Sequence, residues 1–109
     1  MTQTDILNNG QLELNKVNSY EEGKIVKTPL YNSDNTKMIV VAFAQGQEMK
    51  PHTSPMDAVL QILDGEAIIH LDGRDYNVKT GEMIFLPANI PHGLRAEKNF
   101  RVLITKAGK

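Results

Sequence analysis

The stretch AVLQILDGEAIIHLDGRDYNVKTGEMIFLP, residues 58–87, decides the fold. Its runs AVLQIL, AIIHL, RDYNV and MIFLP are short and rich in branched and aromatic residues, and LDGE, LDGRD and KTGE separate them. Such runs between glycine-bearing turns read as strands. Asp72-Gly73 predicts a tight hairpin, because a two-residue turn needs positive φ at its central positions. Gly65 and Gly81 are expected to serve other strand ends in the same way.

The pattern continues outward. KIVKTPLY and KMIVVAFA precede the stretch, RVLIT follows it, and NSDN, QGQ and PANIP supply the remaining turns. No segment after Lys24 holds a helical period over three turns. Many short strands about ten residues apart predict an all-β antiparallel sandwich or barrel. Residues 1–24 are weakly patterned, with Ile6, Leu12, Leu14, Val17 and Tyr20 among turn formers. The expected arrangement is one domain. Residues 37–109 form the barrel core, and residues 1–36 supply N-terminal strands and irregular chain packed on it.

Strand alternation sorts the faces. In AVLQIL, Ala58, Leu60 and Ile62 share one face, and Val59, Gln61 and Leu63 the other. A strand apolar on both sides needs a cover beyond the barrel interior. Either the N-terminal segment or a second subunit provides it, and the second option predicts a homodimer. In AIIHL the apolar set Ala67, Ile69 and Leu71 points inward, which turns His70 outward.

The 109 residues bound the function as well. With 40% hydrophobic and 23% charged residues, the composition is that of a globular domain. The formal charge of -1, with no like-charge run beyond two, excludes a nucleic-acid footprint. No apolar run approaches a membrane span. MTQTDILNNGQLEL lacks the basic start and apolar run of a secretory signal, so a cytoplasmic location is expected. Without cysteine there is neither disulfide nor thiolate chemistry.

Two stretches then carry the chemistry: GQEMKPHTSPMDAVLQILDG (46–65) and GEMIFLPANIPHGLRA (81–96). Their spacing resembles the two motifs of the cupin family, small double-stranded β-helix or jelly-roll barrels. In the first motif five residues separate Gly46 from His52, and Gly65 closes at the family distance. In the second, Gly81, Pro87 and His92 are in register, with Asn89 where the family often has glycine. The resemblance covers about residues 37–105. It implies a cupin barrel with His52 and His92 in one cavity. It also shows departures, because the family's second histidine falls on Ser54, its glutamate on Ala58 and its late asparagine on Ala96.

A divalent transition metal at His52 and His92 would need waters or further ligands to complete its shell. Ser54 offers a neutral hydroxyl and Ala58 nothing. Asp57 could reach inward only through a turn or bulge in SPMD; otherwise it is a solvated turn carboxylate. The expected pocket comprises Ser54, Asp57, Ala58, Leu60, Ile62 and Phe85 around the two histidines. Phe85 is either a cavity wall or plain barrel packing. Met49, Met56 and Met83 are gap fillers that could also line the mouth. The bland alternative for both histidines is that each follows a proline in a turn at the barrel rim. Three functions follow from the resemblance. One is a module binding a small molecule at the histidine pair, with or without a metal. Another is a metal-dependent enzyme of dioxygenase, isomerase or lyase type. The third is metal-free acid–base catalysis by one or both histidines, as in cupin-fold isomerases.

Overall fold

The computed structural model describes residues 10–108. Ile6 and most of the N-terminal stretch read above against a secretory signal lie outside the described residues. Eight strands account for the fold: β1 (Ile25–Asn32), β2 (Thr36–Phe43), β3 (Glu48–His52), β4 (Asp57–Leu71), β5 (Arg74–Lys79), β6 (Met83–Leu86), β7 (His92–Arg95) and β8 (Phe100–Ala107). All pairings are antiparallel. One sheet runs β1-β2-β8-β4-β6 and the other β3-β7-β4-β5, curled together as a jelly-roll barrel. Among the described residues no helix is long and apolar enough to cross a membrane.

The hairpin at Asp72-Gly73 forms as expected, with φ of 51° and 84° at the two residues and Leu71 paired to Arg74. The expected turn at LDGE does not form. AVLQIL and AIIHL are halves of one 15-residue strand that pairs with β8 and β6 in the first sheet and with β7 and β5 in the second. A register shift between Ile62 and Asp64 and a φ of 77° at Gly65 bend the strand from one sheet into the other. An added residue and a left-handed glycine turn a corner without interrupting a ladder. A Cβ at Gly65 would lie 2.2 Å from the Asn99 carbonyl oxygen, so only glycine fits the corner.

Two strands were not expected from sequence, and they are the pair that bear the histidines. EMKPH contains a proline and two charges, and HGLR a glycine, so neither has a strand-like composition. Pro51 is tolerated because β3 ends its sheet and need not donate on its outer side. Gly93 lets β3 approach closely, since a Cβ there would sit 2.8 Å from the Met49 carbonyl oxygen.

Inside the barrel, alternation delivers Val41, Phe43, Ala58, Leu60, Ile62, Ala67 and Ile69 to one core. Phe43 and Phe100 pair across β2 and β8 with rings stacked at 4.6 Å, filling one end. Full burial of such a ring contributes roughly 1.5–3 kcal/mol. The outer face of the first sheet has its own cover. Leu12, Leu14 and Val17 pack over Leu30, Val40 and Leu103. Polar bonds fasten this cover. Buried Arg101 donates to the Asn18 Oδ1 at 3.1 Å and to the Leu14 carbonyl, and the Asn18 amide donates to the Val40 carbonyl at 3.1 Å. The Tyr20 hydroxyl donates to Asp64 on the neighbouring strand. These side-chain partners of Arg101 lie 83 and 87 residues away along the chain.

Candidate functional site

β3 and β7 set His52 and His92 directly opposite each other as register partners. Their rings lie 4.6 Å apart at 61°, an edge-to-face contact. In each, Nδ1 faces the carbonyl of the residue two positions back: Lys50 at 3.0 Å for His52 and Ile90 at 3.1 Å for His92. A carbonyl only accepts, so each Nδ1 carries the proton and donates it, and Nε2 remains the free ring nitrogen. His92 is buried and His52 exposed. Burial pushes His92 below the ordinary imidazole value of 6.5. Its bond to Ile90 works in the opposite sense, while the positive charge of His52 and Lys106 adds to the lowering.

The two imidazoles border a cavity of about 100 Å³. Its walls are apolar: Ile39, Val41, Ala58, Leu60, Leu86 and Ile104. Two lysines complete it. Lys27 pairs with Val41 and Lys106 with Ala58, and both of those partners face inward. No Asp or Glu lines the cavity, and neither lysine has a carboxylate within salt-bridge distance among the described residues. The sequence reading overlooked both lysines. The parity of Val102, Ile104 and Lys106 on one strand was the available signal for the second of them.

Of the residues expected around the histidines, Ala58 and Leu60 line the cavity and four do not. Ile62 sits deeper in the core, 1% exposed. Phe85 points away from the barrel interior, 53% exposed, because it pairs with outward-facing Val59. Ser54 and Asp57 instead secure the loop before β7. The Ser54 carbonyl accepts from Asn89 N–H at 2.7 Å, and the Asp57 carboxylate accepts from Ala88 N–H at 2.8 Å. That loop places Asn89 at φ 66°, where the family often has glycine, and asparagine tolerates this left-handed conformation. Of the methionines, Met49 lines the cavity, Met56 is buried and Met83 is exposed on the outer face. His70 faces out as its parity required, its Nδ1 2.9 Å from the Asp75 carboxylate.

A family model described as Cupin domain matches residues 39–105. The chain belongs to the cupin family. This cupin matches no curated protein. Among solved structures it is similar to a conserved Streptococcus pyogenes protein of unknown function, at 33% identity and a TM-score of 0.84, covering 91% of this chain and 87% of that one. It is also similar to a cupin 2 conserved barrel domain protein from Leptotrichia buccalis, at 41% identity and a TM-score of 0.84. That match covers 86% of this chain but only 46% of the other. A third, from Thermus thermophilus, is 27% identical with a TM-score of 0.82, over 89% and 95% of the two chains.

Cupins often bind metals, and the donor set here can be tested against that. The two Nε2 atoms are suited to a metal, since a backbone bond at Nδ1 fixes the ring and its tautomer. Nothing completes the set. Among the described residues no group of three or more His, Cys, Asp or Glu comes together. Ala58 occupies the glutamate position, and the Ser54 hydroxyl accepts from Met56 N–H at 3.3 Å outside the cavity. The two lysines oppose a cation. Their positive charge disfavours a bound dication, and no carboxylate lines the cavity to offset it. The residues do not fit the family's metal.

Proposed function

We propose that this cupin is a small-molecule-binding protein whose ligand enters the cavity at His52 and His92. The observation that carries the reading is the direct opposition of the two imidazoles at the edge of an apolar-walled cavity. A few convergent polar groups on a preformed apolar surface are the usual makeup of a ligand site. The metal-dependent enzyme of dioxygenase, isomerase or lyase type asks for ligands that Ser54 and Ala58 do not supply. Acid–base chemistry by His92 stays compatible with the same pocket, since a buried neutral imidazole is a competent proton acceptor.

The test is a thermal-shift screen of small organic molecules against the untagged protein and the His52→Ala/His92→Ala double variant. Compounds that raise the wild-type melting temperature are expected to lose the effect in the variant. Equal responses in two folded proteins would remove the pocket from consideration.

We also propose a homodimer. The N-terminal cover protects Leu30, Val40 and Leu103 but leaves Phe85 at 53% and Met83 at 61% exposure beside half-buried Val59. An apolar strip on the same sheet face is self-complementary across a two-fold axis.

A further inference from the structure

The cavity's polar groups do not merely mark a pocket; their chemistry selects what can occupy it. Lys27 and Lys106 present ammonium groups that donate and cannot accept, and no carboxylate of the described residues neutralises either. Lys106 is half-buried and acts on His92 electrostatically, so its charge is felt inside the cavity rather than only in solvent. An ionised group on the ligand would supply the missing partner, and charge-assisted bonds are about twice as strong as neutral ones.

The imidazoles ask for the opposite. With Nδ1–H committed to backbone carbonyls, the unpartnered nitrogen at each ring is Nε2, a lone-pair acceptor on the neutral ring. It repels a carboxylate and welcomes a hydroxyl. The remaining walls, Ile39, Ala58, Leu60 and Ile104 among them, offer only hydrocarbon. A cavity of about 100 Å³ with an open mouth limits the body of the ligand to a handful of carbons, since an enclosed cavity of about 150 Å³ is what benzene fills.

We infer that the ligand is a small aliphatic hydroxy acid, its carboxylate held by Lys106 and Lys27, its hydroxyl donating to one Nε2 of the histidine pair, and its hydrocarbon against the Ala58–Leu60 wall. The inference rests on the pocket reading above and narrows it to one chemical class. Among the described residues no acid competes for the lysines, and no bound cation is needed to recruit the carboxylate.

Three probes of one shape separate the parts: 2-hydroxy-3-methylbutanoate, its deoxy analogue 3-methylbutanoate, and the neutral amide 2-hydroxy-3-methylbutanamide. Binding is read from NMR shifts of the His52 and His92 rings during titration. The hydroxy acid is expected to bind about tenfold more tightly than the amide and about fivefold more tightly than the deoxy acid. Lys106→Met, which keeps the stem and removes one of the two charges, is expected to weaken the hydroxy acid severalfold toward the affinity of the amide while the amide changes less. Equal affinities for acid and amide would overturn the anion inference while the pocket reading stands. Equal affinities for the two acids would remove the hydroxyl from it. Silence of both rings with all three probes up to about 20 mM would sink the inference and the pocket reading together. The comparison of probes on the wild-type protein decides the question even if the variant fails to fold.

Discussion

His92 differs from His52 in one respect that solution measurements can reach: it is buried, and burial holds its pKa below 6.5. In the unfolded chain the same imidazole titrates near its ordinary value. Between the two values the unfolded state binds more protons than the folded state, so stability rises with pH. The contribution is complete above about pH 6.5 and is lost as pH falls through the folded value, with a slope of at most about 1.4 kcal/mol per pH unit. Urea titrations at a series of pH values between 5 and 8 should show this slope, and His92→Gln should flatten it relative to wild type. An unchanged pH dependence in the variant would mean that the imidazole is not buried in solution. At this scale the sequence was partly legible. The resemblance to the cupin motifs implied that the two histidines share a cavity, and they pair across β3 and β7. It did not place Lys27 and Lys106, because a lysine near a strand end reads as solvent-facing until the register is known. Ser54 and Asp57 were misplaced for a related reason. The Ser54 carbonyl and the Asp57 carboxylate serve the loop at Ala88 and Asn89, far along the chain, and no local pattern encodes that partnership.

Among the elements, β3 shows how little of an edge strand is written in its own residues. Glu48–His52 would be dismissed as a loop on propensity, and it becomes a strand because β7 offers a partner ladder and Gly93 leaves room for it. That makes Gly93 the position on which the histidine pairing depends. Gly93→Ala would bring a methyl group to 2.8 Å from the Met49 carbonyl oxygen and 3.0 Å from the Pro51 nitrogen, both backbone atoms that cannot swing aside. The variant is expected to lose about 2 kcal/mol, the usual cost of overpacking, and to separate the two imidazoles. Chemical denaturation with ring-to-ring NOEs checks both effects, and wild-type stability with the rings still in contact would contradict the close approach. The hairpin at Asp72-Gly73 was legible because a tight turn is a local event. The corner at Gly65 was not. Leu-Asp-Gly-Glu carries the same letters as a turn, and only the ladders on both sides keep the strand continuous around the corner.

For the whole molecule, the barrel's second apolar face was readable as a need for cover, while the identity of the cover was not. The structure answers half of it with the N-terminal segment, fastened by Asn18 and Arg101. The other half is the strip at Phe85 and Met83. Light scattering at micromolar concentration is expected to give twice the chain mass of 12.2 kDa, and Phe85→Lys to return it to a single chain. A monomeric wild type would leave the strip without an isologous partner.

The continuous course of β4 through both sheets has a kinetic consequence. Among the described residues β5, β6, β7 and β8 pair with it directly, β2 and β3 pair with β8 and β7, and its two ends lie on different walls. Peeling either wall away strips β4 of half its ladder, so opening of one wall is expected to loosen the other. Innermost amides of both walls are then expected to share one opening free energy in native-state hydrogen exchange, and distinct values for the two walls would contradict this.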